Sequence, residues 1–170
     1  MNPKLSLLSV LFTLLLLSCS NQKEDIEIFS DTNIYNNSFE NSVEVENFEG
    51  MQVFLSNETP NGGGDSSMVV SGGCVLPHIY LELGPFDEAM DLTFNVFAKA
   101  HSIHGSNVTL SLADDPETNI SITVQDTSWS YYETSNTLEV PLGKKIRVDF
   151  ISGGIIEVTT FFDLFVIENN

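Results

Sequence analysis

The chain has 170 residues, and 24 Asp and Glu against 6 Lys and Arg leave a formal net charge of −18. This imbalance excludes nucleic acid as a partner, since binding it takes a basic surface that displaces counterions, and it opposes direct adhesion to anionic lipid. The length supports one domain with a sizeable core and would cramp two.

The first residues carry Met1 and Lys4 as their only positive charges, followed by a 13-residue apolar run from Leu5 to Leu17 and then Ser18-Cys19-Ser20. A helix that crosses a bilayer core takes about 20 residues, so the run reads as the h-region of an export signal covering residues 1–18. Leu16-Leu17-Ser18-Cys19 resembles the lipobox of bacterial lipoproteins, which implies cleavage before Cys19 and lipidation of its thiol. Acyl burial contributes about 0.8 kcal/mol per CH₂, and the several chains that the family's cysteine carries imply stable attachment. Residues 19–33 follow as a polar, acidic linker, in which Lys23-Glu24-Asp25 resembles the surface-export signal of Bacteroidota lipoproteins. The expected location is therefore the outer membrane, lipid-anchored and facing the cell exterior.

With Cys19 lipidated, Cys74 has no partner for an internal disulfide. His78 is the nearest base in sequence to Cys74, but no helix N-terminus is apparent to acidify the thiol, and Cys74 reads as a small buried apolar residue.

Beyond the linker the apolar residues alternate with period two, the signature of half-buried strands. Leu92, Phe94, Val96 and Ala98 fall on one face, with Thr93, Asn95, Phe97 and Lys99 on the other. The alternation returns at Val108-Leu110-Leu112, Ile120-Ile122-Val124, Leu138-Val140-Leu142 and Ile146-Val148-Phe150, and the stretch from Ile155 to Ile167 is apolar on both faces. Turn signals separate these runs, among them Pro60-Asn61-Gly62-Gly63-Gly64, Gly72-Gly73, Gly84-Pro85 and Asp114-Asp115-Pro116. Asp87-Glu88-Ala89-Met90 could make one helical turn. His101 and His104 have a spacing that suits zinc only if further ligands converge, and their polar surroundings read as a loop. Short strands at this spacing predict an all-β fold, a jelly-roll β-sandwich over residues 34–170.

Four segments then coincide: Asn37-Ser38-Phe39-Glu40 at the start, Asp91 to Ala100 in the middle, Asp126-Thr127-Ser128-Trp129-Ser130-Tyr131-Tyr132 later, and Phe161-Phe162-Asp163-Leu164-Phe165-Val166 near the end. Their order and spacing resemble the jelly-roll carbohydrate-binding modules of the galactose-binding-like superfamily. Ser38 stands where that family usually has glycine, and Leu164 replaces the second aspartate of its closing pair. The resemblance implies a structural calcium tying the first strand to the last through Glu40 and Asp163, with the turn at Gly64-Asp65-Ser66-Ser67 able to supply further oxygens, since calcium takes six to eight. It also implies that Trp129 is a core residue, with Tyr131 on the same face.

Sugar recognition combines an aromatic platform with planar polar groups. The residues expected to point away from the core are Asn95, Phe97, Lys99, Arg147 and Asp149, with Tyr132 nearby if its strand neighbours theirs. No Gly-x-Ser-x-Gly elbow, phosphate-binding glycine loop or His-Glu-x-x-His helix is present in the sequence. The expected function is thus a non-catalytic glycan-binding domain on a lipid-anchored surface protein. The alternatives are a protein-binding or structural subunit of an envelope complex, and then a polysaccharide-active enzyme.

Overall fold

The computed structural model describes residues 32–50, 53–72, 78–102, 105–152 and 159–170. Twelve strands among them form two antiparallel sheets: β1 (Asn33–Asn37), β2 (Glu49–Gly50), β3 (Val53–Ser56), β4 (Ser67–Ser71), β5 (His78–Leu83), β6 (Met90–Ala100), β7 (Ser106–Leu112), β8 (Asp115–Val124), β9 (Ser130–Glu133), β10 (Leu138–Val140), β11 (Ile146–Ser152) and β12 (Thr159–Asn169). One four-residue helix, α1 (Ser42–Val45), follows β1.

The five-stranded sheet runs β2-β5-β11-β7-β8. In the seven-stranded sheet β12 is central, with β6 along one edge. Along its other edge lie two partners in succession: β4 pairs with Thr159 to Phe162, and β1 with Phe165 to Glu168. Asp163 and Leu164 fall at the junction between those partners, where the β6–β12 register also slips. This gap in the ladder is where the chain can turn a side chain out of the usual alternation. Past β4, the strand β3 forms the sheet edge, while β9 and β10 share the far edge of β6.

The sandwich closes because period-two alternation buries one face of each sheet. Along β6, Met90, Leu92, Phe94, Val96, Ala98 and Ala100 are buried, and along β11 so are Ile146, Val148 and Phe150. Phe150 lies at the heart of an aromatic cluster, its ring centroid 4.9 Å from Phe162, 5.3 Å from Phe165 and 6.5 Å from Phe39. Edge-to-face contacts of this kind add to the area that each ring buries.

Several local expectations are corrected. Asp87-Glu88 forms a bend ahead of β6 rather than a helical turn, and Met90 already belongs to the strand. The helix lies instead at α1, where Asn41 caps it by accepting from Val43 N (3.0 Å) and Glu44 N (3.3 Å). Leu142 does not continue β10: the strand ends at Val140, before Pro141, and Leu142 is 66% exposed. The strands β3, β4, β5 and β9 go beyond the runs foreseen from the sequence.

Candidate functional site

The residues expected to face a ligand all project from strands, but they divide between opposite sides of the sandwich. Arg147 and Asp149 lie on β11, on the outer face of the five-stranded sheet, because their neighbours Ile146, Val148 and Phe150 are buried. The register places Arg147 beside Glu82 of β5 and Asp149 beside Tyr80, with Glu49 of β2 beyond Tyr80. On the other side stand Thr109 of β7 and Ser121 of β8. This face therefore grades from charged and aromatic groups to small hydroxyls.

Its charged half is tightly organised. The Arg147 guanidinium carbon stands 3.6 Å from the Tyr80 ring centroid, and its Nε donates to both oxygens of Asp149 at 2.9 and 3.1 Å. His78 Nε2 engages Asp149 Oδ1 and lies 3.4 Å from Arg147 Nη2. The Tyr80 hydroxyl donates to Glu49, and that bond, joined by desolvation, holds its pKa above the ordinary phenol value. The contact with the ring and the forked contact of one N–H with both Asp149 oxygens each restrict the guanidinium, so its remaining N–H groups are presented in a fixed orientation. Sequence reasoning missed Tyr80 and Glu82 and weighed His78 only as the base nearest Cys74, although the three alternate with the apolar Ile79, Leu81 and Leu83.

Asn95, Phe97 and Lys99 lie on the outer face of the seven-stranded sheet. Here the structure corrects the parity of the following strand: Tyr131 pairs with outward Phe97, and Tyr132 with inward Val96. Tyr132 packs against the core, with its hydroxyl donating to Asp126 Oδ2 (2.8 Å) and accepting from Asp126 N (3.1 Å). The exposed ring is Tyr131, 52% accessible, with its centroid 5.3 Å from that of Phe97. Trp129 likewise is not a core residue. It packs on outward Phe161 at 6.3 Å, and Lys99 Nζ lies 4.7 Å from the Phe161 centroid and 5.8 Å from that of Trp129. A one-residue change of phase moves every side chain of a strand to the opposite face. Lys99 also pairs with Glu58, and Asn95 Nδ2 donates to Glu168 at 3.4 Å.

Glu40 and Asp163 converge at the junction on β12. Asp163 has 0% exposure. A Cβ added to Gly63 would stand 2.5 Å from Asp163 Oδ2, and one added to Gly64 would stand 1.5 Å from Glu40 Oε1, so a side chain at either position would displace the carboxylate beside it. Asp65 N donates to Glu40 Oε2 (2.7 Å) and Leu164 N to Asp163 Oδ1 (2.7 Å), whereas Glu40 Oε1 and Asp163 Oδ2 are buried without a hydrogen-bond partner. Phe39, immediately before Glu40, has φ +55°, and Leu164, immediately after Asp163, has φ +48°. Bulky side chains rarely adopt this region, and such strain concentrates where a group must be held in place. Burial, with the charges of Glu40 and Glu44 adding to it, raises the Asp163 pKa to about 7, against the lowering effect of the Leu164 N–H.

Two orphaned carboxylate oxygens and a glycine turn fit a hard cation. Among the described residues no cluster of three or more His, Cys, Asp and Glu side chains is arranged as a metal centre, so such a cation would draw its other oxygens from backbone carbonyls or solvent. His101 is exposed, and its backbone N–H donates to Thr159 O at 2.7 Å. Cys19, Lys23, Glu24, Asp25, Cys74 and His104 lie outside the described residues.

Neither a protein-family model nor a curated protein matches the sequence. Solved structures do match. The chain superposes on the C-terminal family 22 carbohydrate-binding module of Clostridium thermocellum Xyn10B with a TM-score of 0.58 at 18% identity, covering 83% of this chain and 96% of that one. A family 16 carbohydrate-binding module gives a TM-score of 0.53 at 14% identity, covering 72% and 94%. TmCBM61, solved with beta-1,4-galactotriose, gives 0.52 at 16% identity, covering 72% and 87%. At these identities the likeness concerns the fold: an all-β, two-sheet sandwich resembling the jelly rolls of carbohydrate-binding modules.

Proposed function

We propose that this chain is a lipid-anchored surface protein whose jelly-roll domain binds a glycan without transforming it. The observation that carries this reading is the Tyr80-Arg147-Asp149-His78 cluster on the five-stranded sheet. A pyranose offers an apolar C–H face and a rim of hydroxyls, and this cluster sets planar donors and acceptors, already locked by one another, around a tyrosine ring that Arg147 covers on one face. Recognition groups that are ordered before binding lose little freedom on capture, which favours affinity. The likeness to modules that include a xylan-binding domain and a galactotriose complex supports a polysaccharide as the ligand class. Acids outnumber cations in the chain, which favours neutral glycans over uronate-rich or sulfated ones.

Calcium belongs to the same reading, as the cation held by Glu40 and Asp163. It would neutralise the buried pair and tie the β1 end of the domain to β12, a structural role away from the ligand face. The anchor at Cys19 and the export signal at Lys23-Glu24-Asp25 rest on the sequence. If they operate, external protease removes the protein from intact cells, and Ala at positions 23, 24 and 25 protects it.

A glycan array probed with the full chain tests the function. Binding to neutral polysaccharides is the expected result. No glycan binding, together with stoichiometric co-purification of an envelope protein, would favour the interaction-subunit alternative.

A further inference from the structure

The outer face of the seven-stranded sheet, opposite the cluster just described, carries a row of apolar side chains outside the core between the sheets. Strand pairing aligns Phe54 of β3, Val69 of β4, Phe161 of β12 and Lys99 of β6, and Trp129 closes the row through its contacts with Phe161 and Lys99. Four strand spacings of about 4.8 Å make this lane roughly 19 Å long. Phe54 is 56% exposed, and the Phe97–Tyr131 pair extends the aromatic surface from the β9 end. Edge strands usually carry charges rather than exposed aromatics; here Phe54 on the edge strand and Tyr131 on β9 are open, with buried Val69 between Phe54 and Phe161, and exposed aromatics on an apolar face mark an interaction site.

We infer that this lane is a second glycan-binding surface, taking a neutral, linear polysaccharide chain independently of the five-stranded face. Three features identify that partner. The rings are spread along a line rather than gathered into a pocket, which suits consecutive sugar units and not a single compact ligand. The one cation of the lane, Lys99, is paired with Glu58, and Glu133 and Glu168 stand on the same face beside Asn95, so an anionic ligand meets repulsion. The ion pair sits among aromatic faces, as a hydroxyl rim above an apolar ring face requires. The inference rests on the glycan reading for its ligand class but not for its location. Because the two surfaces lie on opposite sides of the sandwich, one domain would bridge two polysaccharide chains and gain avidity on a multivalent wall or matrix.

The test is native affinity electrophoresis of the full chain in mild detergent, in gels cast with xylan, β-1,4-galactan or mixed-linkage β-glucan. The variants are Phe54→Ser combined with Tyr131→Ser, Trp129→Ala, and Arg147→Ala. Phe54 and Tyr131 are exposed, so their double variant keeps its melting temperature even if Trp129→Ala does not. The expected result is that the polysaccharide retarding the unmodified chain retards the double variant several-fold less, and that the remaining retention disappears when Arg147→Ala is added. Unchanged retention of the double variant would overturn the second surface, as would complete loss of retention on Arg147→Ala alone, and both results leave the five-stranded site standing. Loss with the double variant but not with Arg147→Ala would keep this surface and remove the other. If none of the gels retards the unmodified chain, the glycan reading and this inference fall together.

Discussion

Arg147 lies over the Tyr80 ring, its guanidinium carbon 3.6 Å from the ring centroid, while its Nε donates to both oxygens of Asp149. The planar guanidinium covers the ring while its Nε–H, set back on the chain, stays on the carboxylate, and a lysine ammonium at the tip of its stem does not reproduce both contacts. Arg147→Lys therefore keeps the charge but should lose at least about tenfold in glycan affinity, close to the loss from Arg147→Ala, as truncation of a central recognition residue does. Titration of both variants against the same polysaccharide checks this. Wild-type affinity in the lysine variant would mean that charge alone matters there.

The carboxylate pair predicts a response to calcium. Binding to the native state alone stabilises by about 2.7 kcal/mol when free calcium is 100 times its Kd, a rise in Tm on the order of 5–10 °C for a domain of this size. Glu40→Ala and Asp163→Ala should abolish the rise. Gly64→Ala should do so as well, since its methyl would meet the Glu40 carboxylate at 1.5 Å and push that flexible side chain aside. The check is thermal unfolding in excess calcium and in chelator. An unmodified chain whose Tm is the same in both has no such clamp.

Without metal, the same pair predicts a pH dependence. Asp163 holds its proton up to about pH 7 in the folded protein, against the ordinary aspartate value of 3.8 in the unfolded chain. A raised folded pKa contributes stability that is fully present below the unfolded value and is lost as pH rises through the folded one. In chelator, Tm should therefore fall between about pH 4 and pH 7, and Asp163→Asn, which cannot ionise, should fall distinctly less. Equal slopes for the two proteins would show that Asp163 ionises freely in the fold.

The core prediction concerns Phe150, which touches Phe39, Phe48, Phe162 and Phe165 and so joins both sheets to the segment carrying Glu40. Phe150→Ala should cost about 3–5 kcal/mol, lowering Tm on the order of 10 °C. It should also weaken calcium binding, because Phe39 is the residue before Glu40. Circular dichroism melts with and without calcium measure both effects. A loss under about 1 kcal/mol would mean that the cluster collapses around the void.

The sandwich was legible in β6 and β11 because each keeps one face buried and the other open, so period two survives in the residue types. In β4 it does not: Ser67, Met68, Val69 and Val70 are all buried, and Val69 projects to the outer face beside Phe161. Such a strand carries no alternation for a sequence reading to find. The separation of Arg147 and Asp149 from Asn95, Phe97 and Lys99 was invisible for a different reason. Outward direction is a local property, whereas the choice of sheet depends on pairing. The exchange of Tyr131 and Tyr132 was a matter of phase, fixed by the pairing of Val96 with Tyr132. Glu40 and Asp163 were identifiable from a resemblance, but their orphaned oxygens and the positive φ of Phe39 and Leu164 were not.

The most direct measurement is isothermal titration calorimetry of the full chain with a neutral linear oligosaccharide released from whichever polysaccharide the array selects, repeated with Tyr80→Ala and Arg147→Ala. The account predicts saturable binding by the unmodified chain, with affinity reduced at least about tenfold at the five-stranded face in either variant and no sugar released or shortened during the titration. Absence of binding heat with every array-selected glycan, or steady turnover of the oligosaccharide, would contradict it.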